Sequence, residues 1–385
     1  MMQVTSPVYS RIYLWPMYSS LPSFSLGVHR VALPVVQGGM GVGISLNGLA
    51  SAVSEAGGLG VISAAGLGLL YRHLSRDYLE ASILGLREEL RQARSKTKHP
   101  IGVNIMVALT NFEDLVQTAV DESADVIFCG AGLPLDLPRF ARSDRTTALV
   151  PIVSSGRAAK ILIDKWIRQY NYVPDGIVVE GPLAGGHLGF KTNQLEDPRY
   201  SLEEILGDVL REAADAESRT GRPVPVIAAG GIYNGSDMHA FLQRGAAAVQ
   251  LGTRFVTTYE CDASLDFKMS YVRAKPGDLQ IIESPVGMPG RAIRNPFLEA
   301  VERGEKRPQH CPVKCIKTCN FPDTPYCITL ALMNACRGRM KQGYAFAGAN
   351  AHRAFGLMHV QELMDELQRD YAAATLSHAG FRPVP

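Results

Sequence analysis

The chain has 385 residues, 46% of them hydrophobic, with 39 basic against 37 acidic side chains and a formal charge of +2. That length and apolar content support one large domain or two ordinary ones with a full core. The near-neutral balance gives no electrostatic case for nucleic acid or an anionic membrane, and no apolar run reaches the ~20 residues of a membrane span.

Residues 1–26 mix Tyr, Ser and Pro with scattered apolar positions and read as an irregular arm. They lack the basic start, apolar stretch and small-residue cleavage site of a secretory leader. Seven cysteines in a chain of this size point to a reducing compartment, so the expected location is the cytoplasm.

From residue 27 short β-rich runs recur in chain order. They are Leu33–Gln37, Leu59–Ser63, Ile101–Ile105, Asp125–Phe128, Val150–Val153, Gly176–Val179, Val224–Ala228 and Ala248–Leu251. Between them, Asn47–Ala56, Phe112–Glu122, Arg157–Tyr170, Leu202–Ala216 and Asp237–Arg244 carry helical spacing or helix-favouring composition. Asn47, Asn111 and Ser236 are the candidate caps. Strands apolar on both faces that alternate with helices imply a parallel sheet with helices outside. Eight such units over roughly 220 residues predict an α/β fold of the closed (β/α)8 TIM-barrel type, spanning 27–260. A doubly wound sheet has fewer strands and places its Gly-rich turn after the first.

Beyond Thr253 the pattern changes. Residues 262–296 read as helical pieces broken by the turn Pro285–Gly290, and a last amphipathic helix is expected over 356–371. Residues 261–385 are taken as a helical lid packed on the barrel.

Active sites in this fold sit at the C-terminal ends of the strands. Those positions hold Gln37-Gly38-Gly39-Met40, Asn104, Cys129–Gly132, Ser154 and Ser155, Glu180–Gly189, Ala229-Gly230-Gly231 and Gly252-Thr253. Glycine at nearly every exit leaves a mouth of bare backbone, suited to a large flat cofactor. The last two exits fit a phosphate site built from backbone N–H groups and the Thr253 hydroxyl. A phosphate there, with backbone at Gly38–Met40 facing a ring, describes flavin mononucleotide (FMN) better than a dinucleotide. The run Glu180-Gly-Pro-Leu-Ala-Gly185-Gly186-His187 ends its strand in an acid, glycines and a histidine. Such a histidine can move protons near neutral pH.

In this order and spacing, Gln37–Met40, Gly102–Asn104, Ala184–His187, Ala228–Ile232 and Gln250–Phe255 make the chain resemble the nitronate monooxygenase family. That family shares its fold with the flavin-type enoyl-acyl-carrier-protein reductases. The resemblance covers about 31–260 and, more loosely, the C-terminal helix. It implies FMN, His187 beside the flavin ring, Gly38, Gly39, Met40 and Asn104 at the isoalloxazine, and Gly230, Gly231, Gly252 and Thr253 at the phosphate. Gly185, Gly186 and Ala229 belong to the same cofactor set, and Glu180 either contacts the flavin or holds its loop. The resemblance implies oxidation of alkyl nitronates by O2 to carbonyl compound and nitrite. The alternative is NAD(P)H-dependent reduction of an enoyl thioester, in which His187 serves the thioester carbonyl. A third reading is a non-catalytic flavin- or carrier-binding barrel subunit. The expected partner is a small-molecule substrate, with no nucleic acid and no membrane, and a homodimer is the candidate assembly.

Two features depart from the family pattern. Ser154 and Ser155 stand where some relatives supply a lysine near the flavin, and Lys160 comes too late on its helix to replace it. Five of the seven cysteines lie between Cys311 and Cys336. At a spacing of four on a helix, Cys311, Cys315 and Cys319 would form one stripe, with Cys327 following. Pro312 interrupts it. Packing is the favoured reading, so no metal is assigned; zinc or an iron–sulfur cluster is the alternative, although the spacing matches neither common motif. Arg254 is expected in a structural ion pair, with an approach to the phosphate as the alternative, and His73, His99 and His239 as surface or helix residues. The Lys/Arg-rich stretch 303–339 reads as a solvated face rather than a docking patch for an acidic carrier.

Overall fold

Eight parallel strands close into a barrel in the computed structural model, which describes residues 21–308, 310–311 and 313–378. The strands are β1 (Val35–Gln37), β2 (Gly60–Ser63), β3 (Ile101–Met106), β4 (Val126–Gly130), β5 (Ala148–Val153), β6 (Ile177–Glu180), β7 (Val226–Ala229) and β8 (Ala248–Leu251). Each pairs in parallel with its neighbour, and β8 returns to β1 through Leu251↔Gln37. The remaining gap is shut by the parallel bridge Val36↔Leu59, with Gln37 N donating to Leu59 O at 2.9 Å. All eight expected strands form, and the TIM barrel stands. Their β-branched and apolar side chains are buried on both faces, as parallel strands between a filled interior and outer helices require.

The arm holds one surprise. Of residues 1–26, the first twenty lie outside the described residues, but Phe24–Leu26 is a strand, not irregular chain. It pairs antiparallel with His29–Val31. Its alternation puts Phe24 and Leu26 inward, where with Val31 they pack on Val36, Leu59, Val126, Ala148 and Val178. Those positions lie toward the strand starts, so the hairpin stoppers the barrel at the end opposite the strand exits.

The outer helices are α1 (Asn47–Glu55), α2 (Tyr78–Lys96), α3 (Phe112–Asp121), α4 (Gly156–Tyr170), α5 (Leu202–Thr220) and α6 (Gly235–Gln243). The 19-residue α2 was not among the expected helices. Its apolar stripe is interrupted by Glu89, which is buried yet satisfied by Asn47 N and Nδ2 and by the Tyr71 hydroxyl. The caps also differ from expectation. Asn47 is inside α1 and serves Glu89, and Asn111 makes no capping bond. Asn234, not Ser236, caps α6, in a capping box with Asp237. The start of α1 is capped from far away: Asp262 accepts from the amides of Leu46, Gly48 and Leu49 at 2.7, 3.2 and 3.1 Å.

After the barrel, Leu265–Val272 is helical, but the next piece is an antiparallel hairpin, β9 (Leu279–Glu283) and β10 (Pro289–Ile293), rather than helix. The turn at 284–288 therefore joins strands. Helix α7 (Ile328–Cys336) and the last helix α8 (Val360–His378) follow, the latter displaced toward the C-terminus from its expected span. Among the described residues no helix is long and apolar enough to cross a membrane.

Candidate active site

The strand exits surround one cavity. His187, Gly38, Gly39, Met40, Asn104, Glu180, Gly185, Gly186, Ala229, Gly230, Gly231, Gly252 and Thr253 all line it. Ser154 and Ser155 do not: Ser155 caps α4 by accepting from Ala158 N, and Ser154 packs under Gly189. Lys160 points outward to Asp164 and Glu212. Among the described residues no lysine or arginine lines the cavity.

The wall is shaped by what it omits. A Cβ on Gly39 would stand 2.3 Å from Asn104 Cβ, so this wall is backbone because Asn104 fills the space behind it. Gly231 has φ +90°, and a Cβ there would meet Leu183 at 2.9 Å. The amides of Gly230, Gly231 and Gly252 have no intramolecular acceptor among the described residues. Buried amides seek partners, so these donors face a ligand or solvent. Thr253 Oγ1 accepts from Gly348 N at 3.2 Å and keeps its own proton to donate.

His187 lies on the two-residue strand Gly186–His187, which adds antiparallel to β10 with Gly290↔His187 and Arg291↔Gly186. Its Nε2 is 2.7 Å from Ser284 Oγ in the β9–β10 turn. Phe346 packs against the ring edge-on, with centroids 5.0 Å apart. Arg291 holds the same loop from behind, donating from Nη1 to the carbonyls of Pro182 and Ala184 at 2.7 and 2.6 Å. Enclosure pulls the His187 pKa down to about 4, so the imidazole is neutral at pH 7. Burial pushes Glu180 the other way, to about 7, and its carboxyl has no hydrogen-bond or ion-pair partner among the described residues. Two cavity groups pushed apart in this way are poised for proton work.

Several contributors were not anticipated. The segment 346–350 crosses the mouth: Ala349 N donates to Leu183 O, and Asn350 Nδ2 to Gly231 O at 2.6 Å. The Tyr271 hydroxyl donates to Phe346 O. Ser284, Arg291 and Phe346 lie about a hundred residues or more from His187, and no local pattern announces them. Arg254 is structural as expected, reaching Glu366 on α8 at 3.1 Å and Tyr233 O at 3.2 Å. Of the unargued histidines, His73 and His99 are exposed, and His239 is buried against Tyr371 on α8.

The expected cysteine stripe is not on a helix. Residues 313–320 run in turns and one bridge, Leu109↔Ile316, while Pro312 lies outside the described residues. Only Cys315 among the cysteines lines the cavity.

A family profile described as nitronate monooxygenase matches residues 23–122 and 110–370. The chain belongs to the nitronate monooxygenase family. It is therefore a flavin-dependent oxidoreductase. A (3aS,4S,5R,7aS)-5-hydroxy-7a-methyl-1-oxo-octahydro-1H-indene-4-carboxyl-CoA dehydrogenase of Mycobacterium tuberculosis is 31% identical over 71% of this chain. That alignment spans 66% of the dehydrogenase, just under two thirds of its length. A probable nitronate monooxygenase of Staphylococcus haemolyticus is 24% identical, covering 88% of this chain and 94% of its own. FabK from Thermotoga maritima superposes with a TM-score of 0.69 at 26% identity, over 91% of this chain and 96% of that one.

Proposed function

We propose that the protein binds FMN and oxidises alkyl nitronates with O2 to a carbonyl compound and nitrite. The observation that carries this reading is the neutral, enclosed His187, held by Ser284 in the wall of a cavity where, among the described residues, no lysine or arginine competes with it for an anion. The cavity fits FMN. The partnerless amides of Gly230, Gly231 and Gly252, with the Thr253 hydroxyl, would hold its phosphate, and the bare wall at Gly38–Met40 with Asn104 would flank its ring. Bound there, FMN supplies the electron acceptor. The chain's own task is the proton and the anion. Neutral His187 donates a hydrogen bond to the bound nitronate, and with a neutral nitroalkane it first takes the α-proton. Phe346 and the segment 347–350 keep the bound anion away from bulk water.

A second reading, NAD(P)H-dependent reduction of an enoyl thioester, is favoured by the likeness to a carboxyl-CoA dehydrogenase and to FabK. In it His187 hydrogen-bonds the thioester carbonyl. One comparison separates the two: O2 uptake and nitrite release with propyl nitronate, against NAD(P)H oxidation that depends on an added enoyl thioester. Nitrite release that survives His187→Ala at full rate sinks the role given to that residue. Thioester-dependent NAD(P)H oxidation without nitrite release selects the second reading.

A further inference from the structure

Three of the seven cysteines are explained by packing. Cys129 is wholly enclosed in β4, Cys261 donates to Ile44 O, and Cys336 donates to Gly43 O at 3.2 Å. The other four are not. Cys311, Cys315 and Cys319 lie on one connection, and Cys327 is the residue that opens α7. All four are free thiols.

The connection is fastened at its middle. Thr110 N donates to Cys315 O at 3.0 Å, Lys317 N to Ala108 O at 2.9 Å, and Leu109 bridges Ile316. These bonds tie it to the exit of β3, beside the cavity. Lys314 takes φ +44°, a left-handed conformation rare outside glycine, and so reverses the chain. The reversal aims its amide at the preceding thiol, with Lys314 N donating to Cys311 Sγ at 3.3 Å. An amide directed at a sulfur favours the thiolate, the form a metal ligand takes. Cys315 Sγ lies 2.9 Å from Thr329 Oγ1 in the first turn of α7, which brings the connection to Cys327.

The four thiols form one group: Cys311 and Cys327 both lie within electrostatic reach of Cys315 and of Cys319. Cys315 also lines the cavity. Yet among the described residues no three His, Cys, Asp or Glu side chains close on a point as the ligands of a single ion do. Zinc draws its thiolates to ~2.3 Å from one centre. An inorganic core of iron and sulfide has width, and its thiolates stand farther apart around it. Lys314 and Lys317 stand between the cysteines in the chain, a balance of charge that suits an anionic core.

We propose that Cys311, Cys315, Cys319 and Cys327 are the four ligands of a [4Fe–4S] cluster set in the wall of the cavity. The assignment rests on the cysteines and not on which substrate the flavin site takes. Full-length protein, purified without oxygen and reconstituted with ferrous iron and sulfide, is assayed for iron, acid-labile sulfide and zinc. Electron paramagnetic resonance after dithionite reduction reads the cluster directly. About four irons and four sulfides per chain are expected, falling at least fivefold in Cys311→Ser and in Cys319→Ser. Cys336→Ser keeps the full complement. Flavin content and circular dichroism, unchanged in every variant, separate ligand loss from misfolding. Iron and sulfide in the parent no higher than in Cys319→Ser overturn the proposal. So does zinc in place of iron, or an equal loss in Cys336→Ser.

Discussion

Titrating His187 tests the site most directly. The fall of its pKa from 6.5 to about 4 corresponds to roughly 3 kcal/mol against the imidazolium. At pH 7 the charged ring is then about one part in a thousand. Burial is the cause, and a bound flavin would deepen it. The sign follows: the unfolded chain binds this proton more readily, so the fold loses stability as pH falls from 6.5 through 4. Above 6.5 that contribution is complete. Nitrogen-15 NMR of protein labelled at histidine, assigned by the signal lost in His187→Ala, reads the ring. It should stay neutral from pH 8 to pH 5. A midpoint near 6.5 would refute the argument, because it would mean that the loop opens to water or that a carboxylate faces the ring.

Ser284→Ala removes the 2.7 Å bond to His187; kcat should fall about five- to tenfold with flavin content unchanged, for a bond worth about 1 kcal/mol. Ser284→Thr should recover most of it, and no recovery would point to a packing effect instead. Glu180→Gln should stabilise the flavin-free protein by about 1–3 kcal/mol at pH 8 but not at pH 4.5, in urea titrations. The folded carboxyl holds its proton up to about 7 while the unfolded one ionises from 4.5, so the cost builds as pH rises from 4.5 to 7 and is complete above it; an equal gain at both pH values would contradict it. Gly39→Ala, whose Cβ meets Asn104 at 2.3 Å, should weaken flavin binding about tenfold or more and cost about 1–3 kcal/mol. Flavin fluorescence reads the first quantity, and unchanged affinity would refute the place given to this wall. Asp262→Asn should lose about 1–2 kcal/mol at the start of α1 while turnover per bound flavin holds steady, since Asp262 does not line the cavity.

The barrel was legible because its signal is local. Each strand is a short apolar run, and each exit carries its own glycine or polar residue next to it in the chain. Every residue assigned from the exits to the cofactor or to proton transfer lines the cavity, whereas Ser154 and Ser155, named from the same exits, do not. What was hidden depends on distance along the chain. Asp262 caps a helix that begins more than 200 residues earlier, and Ser284 reaches back 97 residues to His187. Helix α2 escaped because Glu89 breaks its apolar face and is satisfied only by Asn47 and Tyr71. The β9–β10 hairpin was misread as helix because its alternation is short, and its meaning comes from the third strand, Gly186–His187, that it recruits.

That recruited strand sets an order of events during synthesis. The ribosome releases all eight barrel strands before it makes β10, and His187 has no strand partner until then. A chain that stops short of residue 289 therefore has no strand on which to seat His187.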